Sequence, residues 1–295
     1  MTINLVIQSI ITGISEGSIY ALVALGFNIV YNSTGIINFT QGEFVILGGI
    51  ITSFFVAKFA LPIAVAAIIA ISITIVIALI FERTAIYPMR NASILTLVII
   101  TIGGSILIRG LIMVFMGKNV FFLKAFTSSP PIRISGAGLQ IQTLWIVGST
   151  FALSLILLLF FRYTITGKAM RACSYNPEAA SLVGIHVQKM VLLSFAISAL
   201  IGAVGGAVLI PIHPMMYYHG AMLGLKGFAA AVLGGLGRGG GAIIGGLVIG
   251  LSENFAKNYT TEYKDAIAIL ILLLVLFIKP SGILGKAAEE RHKKI

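Results

Sequence analysis

Charge is what this chain has least of: Asp and Glu together number 9, and charged residues of both signs make up 10% of 295 positions. A soluble domain normally carries about 25%, so a water-facing globule is excluded. Cysteine is almost absent as well. The single Cys173 rules out an intrachain disulfide and any cysteine-built metal site, and it is expected as a free thiol in a cytoplasmic loop. Enzyme signatures are missing too. There is no His-Glu-x-x-His and no Gly-x-Ser-x-Gly elbow, and the histidines at 186, 213, 219 and 292 are scattered. His213 and His219 flank a short loop with Pro214, Tyr217 and Tyr218, which is a poor metal site. No nucleophile and base stand at a workable spacing, so no catalytic residue, cofactor or metal is expected. The N-terminus lacks the basic stretch and small-residue cleavage site of a signal peptide and reads as a retained first span.

What is present is apolar. Hydrophobic residues reach 58% and the mean hydropathy is +1.07. Uncharged stretches such as 61–81 and 266–278 alternate with short charged clusters, the layout of membrane spans and loops. Apolar segments fall at about 5–31, 43–57, 61–81, 94–116, 143–161, 191–211, 223–236, 241–256 and 265–279. The fold expected is an all-α, polytopic helical membrane protein. It has about eight transmembrane helices plus a broken or re-entrant glycine-rich segment, all in one transmembrane domain over residues 1–295. The net charge of +11 would raise the question of nucleic acid in a soluble protein. In a membrane protein, Lys and Arg instead collect in loops on the cytoplasmic side, and no basic stripe with interleaved aromatics appears, so nucleic acid is excluded as a partner.

Three basic clusters orient the chain: Arg83 with Arg90; Arg162, Lys168, Arg171 and Lys189; and a tail from Lys279 through Lys286, Arg291, Lys293 and Lys294. If all face the cytoplasm, residues 223–256 cannot be one span, because the tail and the 162–190 loop would then lie on opposite sides. The glycine run over 234–241 is where that stretch should break. Non-helical backbone at membrane depth is tolerated only where protein or a water-filled cavity covers it. Against this orientation, the loop 117–142 carries Lys118, Lys124 and Arg133 without an acid, yet must be periplasmic.

Within the apolar frame, polar residues stand out. Gln8, Thr12, Glu16 and Tyr20 recur every four residues and form one stripe on the first span. A carboxylate at that depth is costly, so it marks either a functional site or a hydrogen bond that fixes helix packing. The first two spans are separated by the polar, glycine-bracketed stretch 35–43. Its Asn38, Gln41 and Glu43 join Glu16 and Tyr20 as candidates for a translocation path, with an ordinary cytoplasmic turn as the other reading. Glycines four apart, Gly202 with Gly206, Gly241 with Gly245 and Gly246 with Gly250, allow close helix approach. No strand precedes the run and no Gly-Lys-Ser/Thr follows, so the chain is not expected to bind ATP itself. In the loop 162–190, Pro177 at a first helical turn with Glu178 beside it starts a short helix outside the membrane, and the small Ala179 and Ala180 suit a partner's groove.

The stretch Glu178-Ala-Ala-x-x-x-Gly184 resembles the EAA motif by which ABC importer permeases dock on their ATPase subunits, without the usual Ile-x-Leu-Pro ending. Around it, the chain from about 5 to 285 resembles the first permease of the high-affinity branched-chain amino acid importers. The matching stretches include Gly17-Ser-Ile-Tyr-Ala-Leu-Val-Ala-Leu-Gly26, Ile37-Asn-Phe-Thr-Gln-Gly-Glu43 and Glu82-Arg-Thr-Ala-Ile-Tyr-Pro-Met-Arg90. Further on come Gly224-Leu-Lys-Gly-Phe-Ala-Ala-Ala-Val-Leu-Gly-Gly-Leu-Gly237, Thr261-Glu-Tyr-Lys-Asp265 and Lys279-Pro-Ser-Gly-Ile-Leu-Gly285. The resemblance implies a multi-pass protein of the inner (plasma) membrane with a cytoplasmic C-terminus. Its implied partners are a second homologous permease, two cytoplasmic ABC ATPase subunits and a periplasmic or lipid-anchored amino-acid-binding protein. It places Arg171, Asn176, Glu178, Ala179 and Gly184 in the ATPase-coupling loop. Thr40 stands where the family often has Ala and Gln41 where it often has His. Related permeases carry urea or short amides, which remain alternative cargoes, and an ion-coupled secondary carrier working through Glu16 and Glu43 is the rival of another class.

Overall fold

The computed structural model describes residues 3–127, 129–134, 136–258, 264–279 and 281–284. It is built from α-helices: α1 (Ile3–Thr34), α2 (Gln41–Phe59), α3 (Ile63–Phe81), α4 (Ile94–Met116), α5 (Ile141–Tyr163), α6 (Ile165–Tyr175), α7 (Pro177–Leu182), α8 (Val187–Leu209), α9 (His219–Gly234), α10 (Gly239–Lys257) and α11 (Lys264–Ile278). A π-helical turn, Glu82–Ile86, and a 3₁₀ turn, Tyr87–Met89, carry α3 onward. The expected external loop holds a small antiparallel ladder, β1 (Ile132–Ile134) with β2 (Ala137–Leu139).

Six of the described helices are long and apolar enough to cross a bilayer, seven if the bent pair α9–α10 counts as one, and the apolar part of α11, Ala266–Ile278, is shorter. The expectation is about eight spans plus a broken segment; with the bent pair as that segment, the described helices give six spans, or seven with α11. That pair turns through 119°, with the break at 235–238 rather than along the whole glycine run. Gly239, Gly240 and Gly241 already belong to α10. Gly235 and Gly237 carry positive φ, 98° and 83°, the left-handed conformation that other residues adopt only at a cost. Asn28 and Asn32 of α1 seal the turn. The Asn28 amide accepts from Gly237 N at 2.9 Å and donates to Arg238 O at 3.0 Å, while Asn32 donates to Gly237 O at 2.9 Å.

α1 is the central post, packed against α10, α8, α9 and α5. Gly17 of α1 faces Gly246 and Gly250 of α10 so closely that no side chain fits between the two backbones. By contrast α3, α4 and α5 bury only a narrow stripe each and leave Ile, Leu and Phe side chains outward over most of their length, as lipid-facing helices do.

Two faces follow from the contacts. At one, Gln8 of α1 pairs with Gly138 of the β-ladder (Gly138 N to Gln8 Oε1, 2.9 Å), and Phe121 bridges to Met215. At the other lie the connection 164–186, the 235–238 turn and residue 283, whose amide donates to Leu233 O at 2.7 Å. Phe81 meets Phe195 near the start of α8, 6.3 Å between ring centroids, so Arg83 and Arg90 fall at this second face with the 162–189 cluster. Lys118, Lys124 and Arg133 lie at the first. The basic tail from 285 onward, the side chains of the 261–265 motif and Pro280 lie outside the described residues.

Candidate functional site

The chain between α1 and α2 does not make a solvated turn. It returns into the protein, and α2 begins beside Ser198, midway along α8. The result is a stretch of open backbone, residues 35–40, at membrane depth, whose polar groups need partners from the protein. Thr101 of α4 supplies a partner, its hydroxyl accepting from Phe39 N at 3.2 Å, while its one proton lies between Val98 O at 2.8 Å and Ile37 O at 3.3 Å. Asn38 is fully buried, and its side-chain oxygen accepts from Thr40 N at 3.2 Å and from Thr40 Oγ1 at 2.6 Å. Its Nδ2 has no partner among the described residues. Gln41, also fully buried, donates to Ser198 O at 3.2 Å and accepts a short hydrogen bond at Oε1 from Ser198 Oγ, whose single proton has Gly26 O at 3.1 Å as its other acceptor.

Glu43 lies in the first turn of α2, where a carboxylate favours the positive end of the helix. Its Oε1 accepts from Ser105 at 2.9 Å and from the Arg109 guanidinium at 3.0 Å, both on α4. Its Oε2 is buried without a partner and lies against Gly220, whose lack of a side chain makes the room. Phe27, Phe39 and Phe228 close around the break, with ring centroids 5.5 to 6.1 Å apart. The structure thus brings Asn38, Gln41 and Glu43 together at one helix start.

Glu16 and Tyr20 sit elsewhere, in a charge network between α1, α9 and α10. Lys257 Nζ holds both Glu16 oxygens at 2.8 Å, Asn254 donates to Oε2 at 2.8 Å, and His213 Nε2 stands 3.5 Å from Oε1. One turn along, Tyr20 Oη donates to Glu253 at 2.7 Å and Lys226 pairs with Glu253 at 2.8 Å. Lys257 lies 3.9 Å from Glu253 and joins the two pairs. A cavity of about 200 Å³ opens beside the network, lined by Gln8 and Thr12 of the stripe and by Asn254 and Lys257. Glu16 faces these groups, not lipid.

Sequence reading missed Arg109, Lys226, Glu253 and Lys257. Each was visible as an ionisable residue inside an apolar run, the signal by which Glu16 was found.

The connection 164–186 folds into two helices where one was expected. Thr164 caps α6, its Oγ1 accepting from Gly167 N at 3.0 Å. Asn176 caps α7 in the same way, accepting from Ala179 N at 2.9 Å, with Pro177 at the first helical position. At the other end Gly184, φ 84°, donates to Ser181 O at 3.0 Å and Ile185 donates to Ala180 O at 3.0 Å. This is the Schellman pattern that ends a helix with a left-handed glycine. Ala180 is buried and Glu178 and Ala179 are exposed. Tyr175, Leu182 and Val183 stand 82%, 88% and 76% exposed around α7, an apolar tip beyond the spans. Arg171 is not at that tip. It turns back and donates to Phe161 O at 2.7 Å, tying α6 to α5. Cys173 is a free thiol within this connection, buried on α6 rather than in open loop, and burial pushes it above the usual range.

Comparison with known proteins places these features in context. The model of a family described as branched-chain amino acid transport system, permease component, matches residues 9–276. The chain is 35% identical over 301 aligned positions to the high-affinity branched-chain amino acid transport system permease protein LivH of Salmonella typhimurium, covering 97% of each chain. It is 32% identical to the protein BraD of Pseudomonas aeruginosa, which carries the same description, again over 97% of each. A probable branched-chain amino acid transport permease of Methanocaldococcus jannaschii is 29% identical over 91% of this chain and 89% of that one.

Proposed function

The chain belongs to the family of branched-chain amino acid transport system permease components, and from that premise we propose that it is the membrane-spanning permease subunit of an ATP-driven ABC importer for branched-chain, hydrophobic amino acids. The observation that carries the substrate class is the end-to-end likeness, 35% and 32% identity over 97% of both chains, to bacterial proteins named for that transport.

In this reading residues 1–295 act as one transmembrane permease domain of the inner (plasma) membrane. The face with the 162–190 connection, and the C-terminus with it, is cytoplasmic. Supporting this, Arg83, Arg90, Arg162, Lys168, Arg171 and Lys189 gather on that face. The chain is not itself an enzyme: ATP is hydrolysed by two cytoplasmic ABC ATPase subunits, and a second homologous permease completes the path. A periplasmic or lipid-anchored binding protein delivers the amino acid.

The capped α7, with its exposed apolar tip, seats in an ATPase groove. Asn176, Glu178, Ala179 and Gly184 shape that helix, and Arg171 transmits its movement to α5 through Phe161 O. ATP-driven closure of the two ATPases shifts the permease between outward and inward access, and the cycle works because contacts differ between those states. Asn38, Gln41 and Glu43 serve the path at the broken start of α2. Glu16 and Tyr20 serve it by holding α10 and α9 against α1 beside the polar cavity.

Proteoliposomes containing the chain, its second permease and the ATPases, supplied with the binding protein, test the proposal with labelled leucine. Uptake that needs ATP and all subunits is the expected result. Uptake by the chain alone on a proton or sodium gradient overturns it in favour of a secondary carrier, and ATP-driven uptake of urea or a short amide in place of leucine overturns the substrate class.

A further inference from the structure

On the face that carries the 164–186 connection, an open cavity of about 460 Å³ lies between α1, α5, α6 and the start of α10. Its floor is apolar, formed by Leu25, Ile29, Leu157, Phe161 and Ile243. Its rim carries three arginines, Arg162, Arg171 and Arg238, and among the described residues its lining contains no carboxylate. Arg171 uses one of its donors on Phe161 O and Arg238 one on Leu284 O, while Arg162 leans over the Tyr163 ring at 5.4 Å. A guanidinium has five N–H donors, so each of these leaves several for a ligand.

Two further observations point into the same space. Ser154, only 8% exposed, lines the cavity, and its hydroxyl has no hydrogen-bond partner among the described residues. The first internal bond of α10 runs from Ala242 N to Arg238 O, so the exposed amides of Gly239 and Gly240 belong to the unpaired first turn of a helix, where an anion is favoured. The helix-capping position, Arg238, offers no side-chain acceptor to those amides.

We propose that this cavity binds one anionic phospholipid, its phosphodiester held at the rim by the three arginines and the start of α10 and an acyl chain lying over the apolar floor. The described lining is cationic, with three arginines and no carboxylate to offset them, which favours a ligand with net negative charge over a zwitterionic amino acid. A free inorganic anion would match the rim but leave the floor unused. Basic pockets between transmembrane helices at a membrane face are suited to acidic head groups. Occupancy would brace α6 against α5 and α10, which is where the 164–186 connection meets the transmembrane body.

Native mass spectrometry of the full chain in detergent, titrated with phosphatidylglycerol, reads the site directly. The wild-type protein should retain one phosphatidylglycerol with clear preference over phosphatidylcholine. The Arg162→Gln, Arg171→Gln double variant should bind it roughly 30-fold more weakly, at about 1 kcal/mol per arginine. Gly240→Leu keeps every charge and projects into open space; it should lower occupancy by obstructing the cavity, and it keeps the test decisive if the arginine variant does not fold. Lys118→Gln with Lys124→Gln, on the opposite face, should change nothing. Equal retention by wild type, the arginine variant and Gly240→Leu overturns the proposal. So does an equal loss in the lysine variant, which would mean unspecific charge attraction. Displacement of the lipid by millimolar inorganic phosphate would make the site one for a free anion and would overturn the lipid assignment.

Discussion

At the scale of single residues, the ion pairs between helices are the features with the steepest consequences. Glu43 is fully buried and holds one oxygen against Arg109 and Ser105. Removing the guanidinium strands a carboxylate in low dielectric, which in buried pairs costs about 3–5 kcal/mol, whereas removing both charges is far milder. Arg109→Leu should therefore lower the thermal midpoint of the purified protein sharply, and adding Glu43→Gln should restore most of it. If the double variant is no more stable than Arg109→Leu alone, the pair is not what holds α4 to α2. The same reasoning separates two changes at Glu16. Glu16→Gln keeps a hydrogen-bond acceptor for Lys257 and Asn254, while Glu16→Lys places a second cation beside Lys257 at 2.8 Å contact range. Expression in the membrane should survive the first and collapse in the second. These pairings were not legible in the sequence, because Glu16 and Lys257 are 241 positions apart and no local period relates them. The cost of an isolated charge in an apolar run pointed to Glu16 and Glu43 but was not followed to Lys257 and Arg109.

At the scale of elements, α7 is the part whose reading went furthest from sequence alone. Pro177 and Glu178 are local signals that start a short helix, and that helix is found over Pro177–Leu182, with the Asn176 cap and the left-handed Gly184 as its ends. The break at 235–238 was legible for the same reason, since glycine density acts locally and the basic clusters demanded a reversal of direction. The depth of residues 35–40 was not. It depends on Thr101 and Ser198 arriving from other helices, and nothing in the segment itself tells a solvated turn from a buried one. Gly184 gives the sharpest test at this scale. Its φ of 84° is strained for any residue with a Cβ, by about 1–2 kcal/mol, and more for a β-branched one. No heavy atom lies within 4 Å of where that Cβ would be, so Gly184→Val should leave insertion and folding intact. The expected result is loss of ATP-driven uptake together with weaker co-purification of the ATPase subunits. Normal uptake and normal retention would withdraw the docking role from this loop.

For the whole molecule, the decisive quantity is which loops share a side. The contacts place Arg83, Arg90, the 164–186 connection, the 235–238 turn and residues 281–284 at one face. The β-ladder, Phe121 and Met215 lie at the other. A bilayer permits this only if α10 and α11 run in opposite directions after the bend, so the 119° turn and the side of residue 283 stand or fall together. The chain's own thiol makes the experiment clean. Cys173 is buried and its thiol is held above the usual range by that burial, so it reacts slowly with maleimides and leaves a low background. In intact cells, single cysteines introduced at Lys118 and Gly136 should label with an impermeant maleimide. Cysteines at Leu182 and Gly240 should label only after the membrane is opened. If α9 and α10 passed through as one span, Gly240 would lie mid-membrane and label from neither side, and a cysteine at Asn258 would label with Leu182; because Asn258 donates to Ser9 near the opposite face, it should instead label with Lys118. Protection of Gly240 in opened membranes would remove the bend and, with it, the arginine-rimmed cavity that Gly240 lines.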